Sequence, residues 1–237
     1  MSVSVVIPAL NEEEPIADVV RECLTTKIPS QIIVVDNGSD DRTAERARDA
    51  GAQVVTAPRG YGRACTAGVR ALSSNSDIIV FLDGDGSDCP EFMPQLVDPI
   101  AAGDFDFVIG SRTQGQREAG SMNFQQIFAG RFAGWLISIL YGVRYTDMCP
   151  FRAIRRDALE KLSMKEETYG WNLEMQMKAA HSGLRILEIP VNHRCRSGGV
   201  SKVSGTLSGT FVAGARIIVT FLRIALQPKP QIHTDKH

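Results

Sequence analysis

The stretch FLDGDGSD, residues 81–88, sets Asp83, Asp85 and Asp88 within six positions, directly behind the apolar run Ile78–Leu82. Carboxylates this close repel one another, so gathering them behind a buried strand calls for something that neutralises them. The glycines between them, Gly84 and Gly86, let a ligand come close to the backbone. Asp83 and Asp85, two apart in a bend, can turn toward one point. A hard divalent cation such as Mg²⁺ or Mn²⁺ takes such oxygen ligands together with substrate phosphates. A solvated acidic turn is the alternative for the same pair. Asp88, just before Pro90, reads as a helix N-cap.

A second set of residues is cationic. Arg112 stands in GSR, Arg131 in FAGRFAGW, and Arg196 and Lys202 in RSGGVSK. Arg suits bidentate recognition of phosphate, although Arg131, in an apolar helix, could equally snorkel to solvent. Arg155, Arg156 and Arg185 read as solvated or paired surface groups. Two carboxylates, Asp147 and Glu174, could serve as a general base for a hydroxyl nucleophile. Glu174, beside Met175 and Met177, reads rather as structural. A phosphate monoester needs no such base, because its second pKa is near ~6. Tyr169 and Trp171 read as core aromatics, and His181 and His193 as ordinary histidines without ligand spacing.

The elements that must position these residues follow from apolar patterning. VSVVIP, QIIVVD, QVVT, DIIVFLD and FDFVIG are short, unbroken and rich in Val, Ile and Phe, as strands covered on both faces of a parallel sheet are. Helical patterns over 12–25, 41–50, 62–72 and 90–101 separate them. This alternation predicts an α/β fold with a mostly parallel sheet flanked by helices, whose ligands collect at the C-terminal ends of the strands. Farther on, 124–141 is a long apolar helix, PFRAIRRDALEKL leads into another, and NLEMQMKAAHSG precedes a strand-like LRILEIP.

The strand-end loops narrow the chemistry. PALNEEEP, after the first strand, is acidic, which speaks against a P-loop or a dinucleotide-binding glycine motif there. VVDNGSDDRT ends the second strand on Asp36, which could accept hydrogen bonds from a ribose or a base, or could open a capped helix. Asp40 and Asp41 read as caps.

Composition sets the outer bounds. Lys plus Arg number 26 against 27 Asp plus Glu, so net charge offers nothing for nucleic acid. Five scattered cysteines without a C-x-x-C pair speak against a disulfide framework or zinc site and fit a reducing compartment. The N-terminus lacks a signal-like stretch, so a cytoplasmic protein is expected. FVAGARIIVTFLRIAL is broken by Arg216 and Arg223 and falls short of the ~18–20 apolar residues of a membrane span. Seven apart, these arginines share one helix face, which suits either an interfacial membrane helix or one docked on protein.

Taken in order, VVIPALNEEEPI, IIVVDNGSDDRT, FLDGDGSDCPEF, VIGSR and RSGGVSK resemble the family-2 glycosyltransferases, most of all the dolichol-phosphate (polyprenol-phosphate) mannosyltransferase branch. The resemblance spans residues 3–205 and implies a nucleotide-sugar-binding, GT-A type Rossmann-like fold, a divalent cation and inversion at the anomeric carbon. It implies that Pro8, Ala9, Asn11, Glu12, Asp36 and Gly84 bind the donor and that Asp83 and Asp85 hold metal and diphosphate. Arg112, Arg131, Arg196 and Lys202 match positions expected at the acceptor phosphate, and Asp83, Asp85, Arg112 and Arg196 form the expected catalytic set. Ser87 stands where the branch often carries Gln, and Leu10 where an aromatic is usual.

The expectation is therefore a catalytic domain over 1–204, an amphipathic helix over 205–227 and a polar tail over 228–237. The enzyme would move mannose or glucose from a GDP- or UDP-linked donor to a polyprenyl phosphate, peripherally at the cytoplasmic face of the cell membrane. Transfer to a hydroxyl acceptor, or idle nucleotide-sugar binding, are the alternatives.

Overall fold

The Val- and Ile-rich runs form the centre of the sheet. In the computed structural model, which describes residues 1–198 and 221–226, β1 (Ser2–Ala9), β2 (Gln31–Asp36), β3 (Gln53–Thr56) and β4 (Ser76–Phe81) lie parallel in the order β3-β2-β1-β4. Helices α1 (Ile16–Thr25), α2 (Thr43–Asp49) and α3 (Tyr61–Arg70) are the crossovers. Val5, Val6, Ile7, Ile33, Val34, Ile79 and Val80 are fully buried, each contributing on the order of 1.5–3 kcal/mol of hydrophobic stabilisation. Continuous apolarity thus marked strands covered on both faces.

The second half completes the sheet. A 3-10 turn at Pro90–Phe92 leads into α4 (Met93–Ala101) and β5 (Phe107–Ser111). Then follow α5 (Phe124–Tyr141), β6 (Arg152–Arg155), α6 (Arg156–Leu162), α7 (Trp171–His181) and β7 (Ile186–Pro190). The seven strands run β3-β2-β1-β4-β6-β5-β7, with β6 antiparallel to both neighbours. The expected mostly parallel α/β architecture forms. Helix α5 has the expected bounds, set by a capping box in which Asn123 and Gln126 satisfy each other's backbone N–H.

Three local expectations change. The first helix begins at Ile16 rather than Glu12. Asn11 adopts a left-handed φ of 51°, and the N–H groups of Asn11, Glu12 and Glu13 bond to Ser39, Thr43 and Asp41 side chains instead of opening a helix. Asp41 also accepts from the Thr43 N–H at 2.9 Å, but it closes a turn ahead of α2, whose N-cap position is Arg42 without a side-chain cap bond. Asp40 is no cap either: it is exposed and pairs with Arg59 at 3.3 Å. PFRAIRRDALEKL contains β6 as well as α6. The surface arginines behave as expected: Arg155 and Arg185 pair with Asp106, and Arg156 with Glu160.

Register brings the loops together. Ala9 lies opposite Asp36 and Val6 opposite Phe81, so the chain leaves β1, β2 and β4 along one edge of the sheet. Residues 221–225 are helical. The remainder of the expected 205–227 helix, including Arg216, lies outside the described residues, as do Lys202 and the 228–237 tail. No helix among the described residues is long and apolar enough to cross a membrane.

Candidate active site

The acidic loop after β4 is folded inward rather than solvated. Asp83 is half-buried in the cleft wall and accepts a hydrogen bond from the Tyr61 hydroxyl at 3.0 Å. Burial, then Asp85 and Asp88, push its pKa up to about 8. Asp85 accepts from the Ser87 N–H at 3.0 Å and the Ser87 hydroxyl at 2.6 Å. Asp88 is not a helix cap. It is buried, and its carboxylate accepts the Asp83 N–H at 3.0 Å, which fixes the bend from inside. Burial pushes its pKa up to about 6, against the bond from the Asp83 N–H.

The two glycines have separate duties. A Cβ on Gly84 would stand 3.2 Å from both Ala9 Cβ and Ile16 Cδ1, so the loop can lie flat on the first strand only without a side chain. Gly86 has φ +77°, and a Cβ there would meet Ser197 Oγ at 2.8 Å. That contact belongs to a strap, residues 193–198, which closes over the acidic loop. Arg194 N–H donates to Ser87 O at 2.9 Å and Ser197 N–H to Asp85 O at 3.1 Å. The Arg194 side chain ties the strap down through Glu22 at 2.6 Å and Asp88 O at 2.8 Å.

Two expected cations reach the same place. Arg196 donates to Glu12 and lies 3.5 Å from Asp85 Oδ2. Its guanidinium therefore bridges the loops after β1 and β4. Arg112, just beyond β5, makes a two-pronged bond to Asp147 at 2.7 and 2.9 Å while remaining in the wall of the cleft. Burial alone would raise the Asp147 carboxyl, but the Arg112 fork outweighs it and holds its pKa below the ordinary value. Glu174 is buried at the start of α7. It accepts from the N–H groups of Lys165 and Glu166 at 3.0 and 2.6 Å and pairs with Lys178 at 3.0 Å. It is structural, as its neighbours suggested.

Together the loops enclose a cleft of about 630 Å³. Pro8, Ala9, Glu12, Asp83, Gly84, Asp85, Arg112 and Arg196 line it. Asn11 and Asp36 do not; they brace the rim, with Asn11 Oδ1 accepting from Asp40 N–H at 2.9 Å and Asp36 from Ser39 N–H at 3.0 Å. Arg131 is also away from the cleft wall, exposed on the outer side of α5. Trp171 is core, edge-on to Phe81, whereas Tyr169 is 45% exposed and lines the cleft, against expectation. It stands just ahead of α7, so its neighbours' apolarity did not extend to it.

Tyr61 and His193 carried no sequence signal. Tyr61 opens α3 and meets Asp83 only through the packing of α3 on β1. His193 is buried in the cleft wall, bridged by its backbone to both Asp88 and Arg117. Its Nδ1 finds no hydrogen-bond partner among the described residues. Burial, then the Arg112 charge, lower its pKa from 6.5 to about 4, so its approach to Asp88 at 3.9 Å joins a neutral imidazole, not an ion pair. The unfolded chain takes up a proton below pH ~6.5 that the folded site refuses until about 4. Stability therefore falls over that window, by about 3 kcal/mol from this residue. Because the raised carboxyls of Asp83 and Asp88 act in the opposite sense over this window, the quantity to read is the difference between the two proteins. As pH falls from 7 to 4 the unaltered protein should lose stability in urea relative to His193→Gln, and parallel curves would contradict it.

Comparison with known proteins places this geometry. The profile of Glycosyl transferase family 2 matches residues 4–163. A glycosyltransferase of Mycobacterium tuberculosis, itself uncharacterised, is 36% identical over 217 residues, covering 90% of this chain and 94% of the relative. A dolichyl-phosphate hexose transferase of Haloferax volcanii is 33% identical over 231 residues, 95% of each chain. Among solved structures, glucosyl-3-phosphoglycerate synthase from M. tuberculosis, in complex with Mg²⁺ and uridine diphosphate, superposes with a TM-score of 0.76 at 25% identity. That match covers 96% of this chain and 80% of the synthase.

Proposed function

Because the chain belongs to glycosyl transferase family 2, we propose that its cleft transfers mannose or glucose, with inversion, from a GDP- or UDP-linked sugar to a polyprenyl phosphate. The observation that carries this reading is the state of the two carboxylates suited to deprotonate a hydroxyl. Asp147 is taken up by Arg112, Glu174 is buried under Lys178 and backbone N–H groups, and neither lines the cleft. An acceptor that arrives already ionised fits such a site, and a phosphate monoester is mostly ionised at neutral pH. The Haloferax relative's name points to a lipid-phosphate acceptor as well.

The donor end follows from the residues. Pro8, Ala9 and Glu12 offer the nucleoside wall, and Asp83 and Asp85 face the diphosphate. Among the described residues no three His, Cys, Asp or Glu side chains form a metal cage. The site nevertheless fits Mg²⁺ or Mn²⁺: Asp83 and Asp85 adjoin in the cleft wall and repel each other, and a cation would relieve that repulsion, with substrate phosphates completing its oxygen donors. When bound, the cation neutralises the charge of the leaving diphosphate. An acceptor phosphate oxygen then bonds to the anomeric carbon from one face as the bond to the donor diphosphate breaks on the other. Arg112 and Arg196 hold that phosphate in line, with Lys202 as a further cation of the set. The protein works peripherally at the cytoplasmic face of the cell membrane.

One observation favours a second reading. The superposing synthase is named for a phosphoglycerate acceptor, so a small hydroxyl acceptor is the competitor. The test is turnover with Mg²⁺ or Mn²⁺ and a panel of radiolabelled GDP- and UDP-sugars, with polyprenyl phosphate present or absent. Label entering the organic phase only with the lipid supports the reading and identifies the donor. Label passing only to water-soluble hydroxyl acceptors would overturn it.

A further inference from the structure

Helix α5 is apolar on both sides, and among the described residues only one side is covered. Gly130, Ala133, Gly134 and Ile137 face inward. On the other side Phe124, Phe128, Phe132 and Trp135 form a continuous ladder, with ring centroids 6.3, 6.0 and 5.9 Å apart. These four side chains are 79, 59, 49 and 57% exposed. A row of stacked aromatics left in water marks an interaction surface rather than ordinary scatter of apolar residues. The i, i+4, i+8, i+11 spacing puts them on one stripe, running roughly 17 Å along the helix axis.

We infer that this stripe docks the protein on the surface of a bilayer containing anionic lipid. Two features select that partner. The first is charge: from Ala119 to Thr146 the chain has no Asp or Glu but carries Arg131 and Arg144, both exposed. Arg131 sits three residues after Phe128 and four before Trp135, at the edge of the ladder, where it reaches lipid phosphate as the rings enter the acyl boundary. The second is continuity with the cleft. Asn123 and Gln126, the capping pair of α5, line the cleft wall, so the ladder starts at the cleft mouth. The docked stripe would bring the membrane surface to the place where a lipid-borne phosphate must enter. This assignment rests on the lipid-phosphate reading for its purpose, but its physics does not depend on it.

The test is sedimentation of the full chain with vesicles of equimolar phosphatidylcholine and phosphatidylglycerol that contain no polyprenyl phosphate. Binding is expected, weaker on pure phosphatidylcholine. Phe128→Ser and Phe132→Ser should each weaken it on the order of tenfold, and Arg131→Glu should weaken it only on the anionic vesicles. Calorimetry of UDP and GDP binding with Mn²⁺ serves as the folding check, and these variants should leave it unchanged. Absence of vesicle binding, or binding indifferent to all three substitutions, overturns the assignment. So does a lipid-free dimer that Phe128→Ser dissociates, since a second copy would then own the face. Because the vesicles lack the acceptor, docking can succeed while the lipid-phosphate reading fails. Equally, turnover of detergent-dispersed polyprenyl phosphate without vesicle binding would leave that reading standing and sink this one.

Discussion

Asp85→Ala is expected to abolish metal-dependent donor binding and to lower turnover on the order of 10²–10³-fold, the loss of about 3–4 kcal/mol of charge stabilisation at the diphosphate. The size follows from where Asp85 stands. Its carboxylate is at the cleft surface, oriented by the Ser87 N–H and hydroxyl at 3.0 and 2.6 Å. Asp83 lines the same cleft, but its carboxylate already accepts the Tyr61 hydroxyl at 3.0 Å. Removing Asp85 leaves the cation a single carboxylate and also releases Arg196 from one of its two anionic contacts. Fold damage should be small, because Asp85 supports the strap through its backbone carbonyl, which the substitution keeps. Calorimetry with Mn²⁺ and UDP or GDP reads the effect; binding equal to that of the unaltered protein would remove the metal from Asp85.

The second large effect is on stability. Asp147→Asn should lower the unfolding free energy by about 3–5 kcal/mol, because it leaves the Arg112 guanidinium in a mostly buried wall without its counter-charge. For a chain of this size that corresponds to a Tm drop of roughly 6–20 °C. Asp147 also accepts the N–H groups of Arg112 and Met148 at 3.0 and 2.7 Å, so a loop is loosened along with a side chain. The pH dependence has a definite sign. The folded pKa of Asp147 is depressed, so its stabilisation is complete above the unfolded value of ~3.9 and is lost as pH falls through the folded value. Replacing both Arg112 and Asp147 by leucine should cost less than the two single changes summed. A variant Asp147→Asn with unaltered Tm but no turnover would instead make Asp147 a general base and favour a hydroxyl acceptor.

How much of this was written locally in the chain depends on the range of the contacts. The strands of the first half were legible because residues buried on both faces must be apolar without interruption, as in Gln31–Asp36 and Ser76–Phe81. Helix α5 was legible to its ends, since its cap, apolar run and terminal glycine are contiguous. Strand β6 was not. It is four residues long and reads RAIR; the buried Arg152 spends its donors on the carbonyls of Cys149, Pro150 and Asn172, a solution no local pattern announces.

The site divides the same way. Asp83, Asp85, Arg112 and Arg196 stood out because charge beside strand ends is unusual, and the fold brings all four to one cleft. Asp88 was misread as a cap because a carboxylate before Pro90 has that pattern; its inward turn toward the Asp83 N–H depends on the bend at Gly84 and Gly86. Tyr61 and His193 reach the acids across 22 and 105 positions of chain respectively, counted to Asp83 and Asp88. Their roles became visible only when α3 and the strap were placed.

The most direct measurement is a paired acceptor assay with one radiolabelled nucleotide sugar and Mg²⁺. It offers the purified protein a polyprenyl phosphate and the polyprenol of the same chain length. Labelled lipid from the phosphate alone is the expected result, since Arg112 and Arg196 line the cleft whereas Asp147 and Glu174, the two candidate bases for a hydroxyl, do not. Labelled lipid from the polyprenol, or equal labelling of both, would contradict it.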